Sequence, residues 1–308
     1  MHEPVDGIYR LLKGTAAKAT LALLPGVGCG AFVFAEALPQ LLRHFNIVLF
    51  NNPGIDGAPQ DFGQSLDVLD VHHLTDQAEL ALQAADEAFG ALPWLVWGHS
   101  MGGFTAQQLA LRCPAKIRRL ILMSTSYGGV QTDLDVHRVF STLLMGNMRE
   151  LKHHPDHLLE LMMAEDIAPA LKAKILHLFA THEVDLDVLL QHYLCGARFS
   201  SVGEVRDISC PTLVVHGAAD RIILAAAGEA LAQQLPAARL WAVPQAGHLP
   251  FLEKPDMVLR LADFLLGDET VGAAVEQAAA PAFFELQQDM LWRHTRQGLT
   301  SIRRLFQI

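Results

Sequence analysis

Seven short apolar runs, at residues 8–12, 20–24, 46–50, 94–97, 120–123, 212–215 and 239–243, do most to limit what this chain can fold into. Several of them ("TLALL", "NIVLF", "WLVW", "LILM", "TLVV") are continuous rather than alternating, the pattern of strands covered on both faces. Between them lie longer stretches of helix-forming composition, as at residues 75–88 and 104–112. Strand and helix in alternation predict an α/β fold built on a mostly parallel, doubly wound sheet.

One region breaks the alternation. Residues 136–194 are rich in leucine, methionine and histidine and contain no convincing strand, and Pro155 and Pro169 mark helix starts within them. The expected organisation is a core of residues 1–126 and 207–268, an inserted helical cap at 127–206, and a C-terminal linker and helical extension at 269–308. In that extension Leu299, Ile302, Leu305 and Phe306 recur at helical spacing among Arg293, Arg296, Arg303 and Arg304. Packing on the core or on a second copy of the chain, as a homo-oligomer, suits this stripe; contact with an anionic membrane surface is the alternative.

A net charge of −10 argues against a general polyanion binder, so nucleic acid is not an expected partner and a small or neutral ligand is. Cys29, Cys113, Cys195 and Cys210 lie far apart without a C-x-x-C pair, which suggests neither a disulfide framework nor a zinc site. The start, "MHEPVDGIYR", shows no apolar run behind a basic end, and the apolar region 21–38 is broken by Pro25, Gly26, Gly28 and Gly30. Reduced thiols in a cytoplasm are the expectation.

The stretch "LVWGHSMGGF", residues 95–104, runs a strand-like segment into a glycine-flanked serine and then into a helix-like one. A G-x-S-x-G pentapeptide is only moderately specific, but a nucleophile elbow requires an abrupt strand end, a tight turn and a helix beginning right after the serine. Trp94 and Trp97 belong to the strand, Gly98 and Gly102 leave room for the turn, and Phe104, Leu109 and Cys113 give the helix an inward face. Ser100 is therefore the candidate nucleophile; an ordinary helix N-cap is the plainer reading.

A serine hydroxyl needs a base during attack, and the base needs an orienting carboxylate. "LVVHGAADRI" places Asp220 just after a buried strand, and "WAVPQAGHLPFLEKP" places His248 just after the next one. Both would lie at the carboxyl edge of the sheet, where open α/β sheets bind ligands. Asp220 could instead cap the helix near Ile222, and His248 could be a surface loop residue.

Taken together, G-H-S-M-G, H-G-A-A-D and A-G-H with the trailing "LPFLEKP" resemble the serine, acid and histidine segments of the α/β-hydrolase superfamily, over nearly all of residues 8–266. Cap pattern and size most resemble small capped carboxylesterases of the pimeloyl carrier-protein methyl ester esterase type. The resemblance implies an α/β-hydrolase sheet, a Ser100–His248–Asp220 triad, and an oxyanion hole made by the Met101 and Val27 backbone N–H groups. Pro25-Gly26 stands where the family often has His-Gly, and Asn51-Asn52-Pro53-Gly54 where it often has an aspartate. Neither departure removes the triad, and a serine at position 100 counts against the aspartate-dependent epoxide hydrolases and haloalkane dehalogenases.

The expected activity is hydrolysis of a carboxylic ester, thioester or lactone through an acyl-enzyme, with no cofactor and no metal. The cap carries more acidic than basic residues, a poor match for an acidic carrier, so a fairly apolar acyl substrate is expected. Leu143, Leu144, Met145, Met148, Leu158, Leu161, Met162 and Met163 could line an acyl pocket or simply pack helices together. His153, His154 and His157 have helical spacing, but Pro155 divides them, and a solvated stretch suits them better than a metal site. Alternatives are a carbon–carbon bond hydrolase, an acyltransferase, and a hydrolase-like receptor without turnover.

Overall fold

The computed structural model describes residues 7–59, 69–128, 156–182 and 184–267. Its centre is a seven-stranded sheet of β1 (Tyr9–Leu12), β2 (Ala19–Leu24), β3 (Phe45–Phe50), β4 (Trp94–His99), β5 (Ile117–Met123), β6 (Thr212–Gly217) and β7 (Ala238–Val243), in the order β1-β3-β2-β4-β5-β6-β7. All seven expected strands are present. Only the edge strand β1 is antiparallel, pairing Tyr9 with Phe50, and every other neighbour is parallel.

Each residue of β2, β3, β4 and β6 is buried, which accounts for their unbroken apolar runs. Successive side chains point to opposite faces of the sheet. Leu21, Leu23, Ile47, Leu49, Leu95 and Trp97 enter one core layer, together with Leu41 from α1 (Leu38–Leu41) and Leu261 and Phe264 from α9 (Met257–Leu266). Ala22, Leu24, Val48, Val96 and Leu122 enter the other, against α2 (Val71–Phe89), α3 (Met101–Arg112) and α7 (Ala225–Gln234). Asp70 caps α2 by accepting the His73 N–H at 2.8 Å, satisfying one of the four donors that a helix start leaves open.

Strand order matters most for the site. The chain passes from β2 outward to β3 and then returns to place β4 on the other side of β2. Where the order reverses, the loops after β2 and β4 diverge and leave a crevice at the carboxyl edge. The loop after β2 and Ser100 both leave the sheet there.

Between β5 and β6 the described residues hold α4 (Asp156–Met162), α5 (Pro169–Ala180) and α6 (Leu186–Arg198) and no named strand. Pro169 opens α5 as expected. The short α8 (Pro250–Glu253) follows β7. Pro155, His153, His154, the leucines and methionines at 143–148 and the extension at 281–308 lie outside the described residues. Among those described, no helix is long and apolar enough to cross a membrane.

Candidate active site

At the end of β4 the strand stops and α3 begins within one residue, Ser100, which carries φ 53° and ψ −120°. A positive φ is unfavourable for a residue with a Cβ and persists only where its surroundings enforce it. Three hydrogen bonds do so: Ser100 N–H donates to the Met123 carbonyl at 2.9 Å, and the Ser100 carbonyl accepts from Gly103 N–H and Thr125 Oγ1, each at 2.8 Å. The turn also has no space for side chains at its glycines. A Cβ at Gly98 would lie 2.3 Å from the Gly102 carbonyl oxygen, and one at Gly102 2.1 Å from that of Leu24.

The candidate acid and base meet directly. His248 Nδ1 donates to Asp220 Oδ2 at 2.8 Å, and both side chains are buried, at 2% and 0% exposure. Since a carboxylate only accepts, this bond puts the proton on Nδ1 and leaves the Nε2 lone pair free to act as base. Asp220 Oδ1 accepts the Ile222 and Ile223 N–H groups at 2.8 and 3.0 Å, and Oδ2 also lies 3.2 Å from His216 Nε2. Burial by itself would raise the pKa of Asp220; the charge of His248 and the bonds from His216 and His248 outweigh it and hold the carboxyl well below its usual range. Asp220 thus caps the Ile222 turn and orients His248 at once.

Ser100 is joined to this pair through its neighbour. His99 Nε2 donates to the main-chain carbonyl of His248 at 2.8 Å, and the two rings lie 5.0 Å apart. Burial, with His248 nearby, pushes the His99 pKa down to about 3, so the ring stays neutral. The Ser100 hydroxyl makes no hydrogen bond among the described residues, and the Ser100 contact given by the side chain of Thr125 is to its carbonyl.

The His248 loop is held from the far side as well. His248 N–H donates to the Met162 carbonyl at 2.7 Å, and buried Glu253 accepts from Gly247 N–H and Ala164 N–H, each at 2.9 Å. Backbone of the helical segment is thereby fastened to the loop that carries the candidate base.

In the loop after β2, Cys29 N–H donates to the Gly26 carbonyl at 3.1 Å and Gly28 has φ +66°, the positive φ that a type II turn needs at its third residue. Asn52 Nδ2 donates to the Gly26 and Pro25 carbonyls at 2.6 and 3.3 Å, and Asn51 Oδ1 accepts the Ala31 N–H at 2.7 Å. Buried His192 of α6 accepts the Gly28 N–H on Nδ1 at 3.2 Å and donates from Nε2 to the Pro53 carbonyl at 2.8 Å. Asn52 therefore braces the turn, and Asn51 holds the segment that follows it. Met101 occupies the first position of α3, where a backbone N–H has no intrahelical acceptor.

Val27, Ser100 and Met101 line one half-open cavity, together with Phe104, Ser126, Tyr193, Gly196, Ala197, Ile222 and Ile223. Of the leucines and methionines that could line a pocket or pack helices together, Leu161 and Met162 pack on Ile222 and Ile223. From α6, Tyr193, Gly196 and Ala197 line the cavity. Burial pushes the thiols of Cys29 and Cys195 up to about 12, so neither is a nucleophile near neutral pH. Among the described residues no group of three or more His, Cys, Asp or Glu side chains could hold a metal ion.

Sequence reasoning brought Ser100, Asp220, His248, Met101 and Val27 to this edge but passed over His192, Asn52 and Glu253. One of fifteen histidines carries no local signal, and the asparagines were read only as a departure from a pattern.

Comparison with known proteins gives this arrangement its setting. Residues 15–255 match a family model described as "Serine aminopeptidase, S33". Pimeloyl-(acyl-carrier protein) methyl ester esterase of Chromobacterium violaceum is 30% identical over 255 residues, spanning 80% of this chain and 93% of that protein. The protein so named in Yersinia enterocolitica is 28% identical, spanning 78% of this chain and 90% of its own length. Among solved structures, a hydrolase from Pseudomonas aeruginosa superposes with TM-score 0.63 at 25% identity over 84% of this chain and 93% of its own. An enol-lactonase from Burkholderia xenovorans shares the fold with TM-score 0.64 at 23% identity, over 84% of this chain and 95% of its own.

Proposed function

The chain belongs to the serine aminopeptidase family of α/β-hydrolases, and from that premise we propose that it hydrolyses a carboxylic ester, thioester or lactone through an acyl-enzyme on Ser100. The observation that carries the reading is the strained elbow: it presents Ser100 to a cavity shared with Val27 and Met101, while His99 ties it to the His248–Asp220 pair.

In the first step Ser100 Oγ attacks the substrate carbonyl as its proton passes to His248 Nε2. Asp220, already anionic, stabilises the imidazolium and fixes the tautomer without taking the proton. The oxyanion that forms is received by the Met101 and Val27 N–H groups, each worth about 100-fold or more in rate. His248 then gives its proton to the leaving alcohol, thiol or lactone oxygen. Water, deprotonated by the same Nε2, releases the acid and restores Ser100.

The lining supports a fairly apolar acyl group: Val27, Phe104, Ile222 and Ile223 offer hydrocarbon, and Gly196 and Ala197 keep the α6 side shallow. We take the helical segment between β5 and β6 as the cap over this site. A second reading, an acyl methyl ester on a carrier protein, is favoured by the names of the relatives; the acidic excess of residues 127–206 weighs against it.

The test is turnover of a methyl-ester series of increasing acyl length, with free and carrier-attached forms side by side and with dienol and acyl-acceptor substrates included. Hydrolysis of free esters, at a rate that depends on acyl length, is the expected result. Preferential transfer to an added alcohol, cleavage of a carbon–carbon bond alone, or binding without turnover would replace this reading.

A further inference from the structure

We propose that His192 is a positioning residue for the oxyanion hole: by taking the Gly28 N–H it leaves the Val27 N–H as the donor of the turn, and it links that donor to the helix that forms the acyl pocket. The inference rests on the ester-hydrolase reading above.

The turn Gly26–Cys29 offers two adjacent N–H groups, those of Val27 and Gly28, to anything that approaches it. Only one can be the productive donor, because successive amides in a turn point in different directions. His192 resolves the choice. Its Nε2 faces the Pro53 carbonyl at 2.8 Å, and since a carbonyl only accepts, the proton of the neutral ring is on Nε2. Nδ1 is then a lone pair, and it receives the Gly28 N–H at 3.2 Å. Among the described residues no hydrogen bond uses the Val27 N–H, and Val27 lines the cavity beside Ser100 and Met101.

The ring is suited to this work. His192 is fully buried, and burial lowers its pKa to about 4, so Nδ1 remains an acceptor near neutral pH. Leu189, one turn earlier on α6, closes over the same place: a Cβ at Gly28 would lie 2.9 Å from its Cδ1. From the opposite side Asn52 holds the Gly26 carbonyl at 2.6 Å. The turn is gripped at its first residue by the loop after β3 and at its third by α6.

The same helix presents Tyr193, Gly196 and Ala197 to the acyl pocket. An acyl group that fits against α6 therefore presses on the element that sets the oxyanion donor. Recognition of the acyl chain and stabilisation of the transition state share one lever.

Two substitutions divide the functions of the ring. Asparagine at position 192 places an acceptor where Nδ1 stands, and glutamine places a donor where Nε2 stands. Esterase kinetics, inhibition by an alkyl trifluoromethyl ketone that forms an oxyanion on serine, and amide exchange at Gly28 are measured for both variants and the wild type. The expected result is that His192→Asn keeps kcat and Gly28 protection. His192→Gln is expected to lose protection and at least about tenfold in kcat, with KM within about threefold and ketone affinity falling in step. Equal impairment of the two variants would overturn the proposal, as would full kcat in His192→Gln despite an exposed Gly28 amide. Should both variants fail to fold, rapid exchange of Gly28 in the wild type is itself disproof. Failure of a fluorophosphonate to label wild-type Ser100 would instead sink the ester-hydrolase reading, while the exchange data would still report on the His192–Gly28 bond.

Discussion

His99 donates from Nε2 to the main-chain carbonyl of His248 at 2.8 Å, so the residue before the candidate nucleophile holds the loop of the candidate base. The bond spans 149 positions of sequence and joins the end of β4 to the loop after β7 across the carboxyl edge of the sheet. It has a direct kinetic consequence. His99→Gln, which keeps a donor at the Nε2 position, should retain kcat within about threefold, whereas His99→Leu should lose about 100-fold, the cost of misplacing a catalytic group by about 1 Å. Steady-state kinetics on one ester checks this, and equal rates for the two variants would show that the bond does not place His248.

Asp220→Asn should lower kcat by about 1,000- to 10,000-fold with little loss of stability. An asparagine can still accept the Ile222 and Ile223 N–H groups, so the turn survives while the imidazole loses its tautomer and its counter-charge. Kinetics paired with a urea midpoint separate the effects. A matched fall in both would mean that Asp220 is only a cap.

The strand ends that carry Ser100, Asp220 and His248 were legible because each stands beside a local apolar run, and a period-two or continuous pattern survives in a handful of residues. The elbow was legible for the same reason, with its two glycines in register with the serine. His192 was not, since its partners Gly28 and Pro53 are 164 and 139 positions away and the helix between them says nothing about which loop it will meet. Glu253 likewise reads as a charged residue on a short helix until Gly247 and Ala164 are placed against its two oxygens. For a related reason the sequence left Leu161 and Met162 open between lining a pocket and packing helices: both are apolar enough for either, and the fold packs them on Ile222 and Ile223.

Stability should fall as the solution is acidified from about pH 6.5, the unfolded histidine value, toward the folded values of His99 and His192, about 3 and about 4. In that window the unfolded chain binds protons that the folded rings refuse, so unfolding becomes easier at lower pH, by about 1.4 kcal/mol per pH unit for each such ring. Above pH 6.5 both states hold these rings neutral and their contribution is constant. Urea midpoints at pH 7 and pH 5 should therefore differ less in His192→Asn than in the wild type. An identical difference would show that His192 is not a buried neutral ring.

Gly102→Ala should cost more than about 3 kcal/mol or prevent folding, because the added methyl on α3 meets main chain at the end of β2, the Leu24 carbonyl at 2.1 Å, and the main chain of a central strand cannot yield. Gly196→Ala is the matched control. Its nearest neighbour is the Phe104 ring at 3.4 Å, so it should fold, gain helix propensity and trim the acyl pocket. Chemical denaturation of the pair, with acyl-length profiles for Gly196→Ala, tests both statements.

The most direct test of the central claim is covalent labelling of the intact protein by a fluorophosphonate, with the adduct located by peptide mass spectrometry and ester turnover measured alongside. The structure predicts a single adduct on Ser100, loss of turnover in proportion to labelling, and neither label nor turnover in Ser100→Ala. Undiminished hydrolysis by Ser100→Ala, or a label on another residue of an active enzyme, would contradict it.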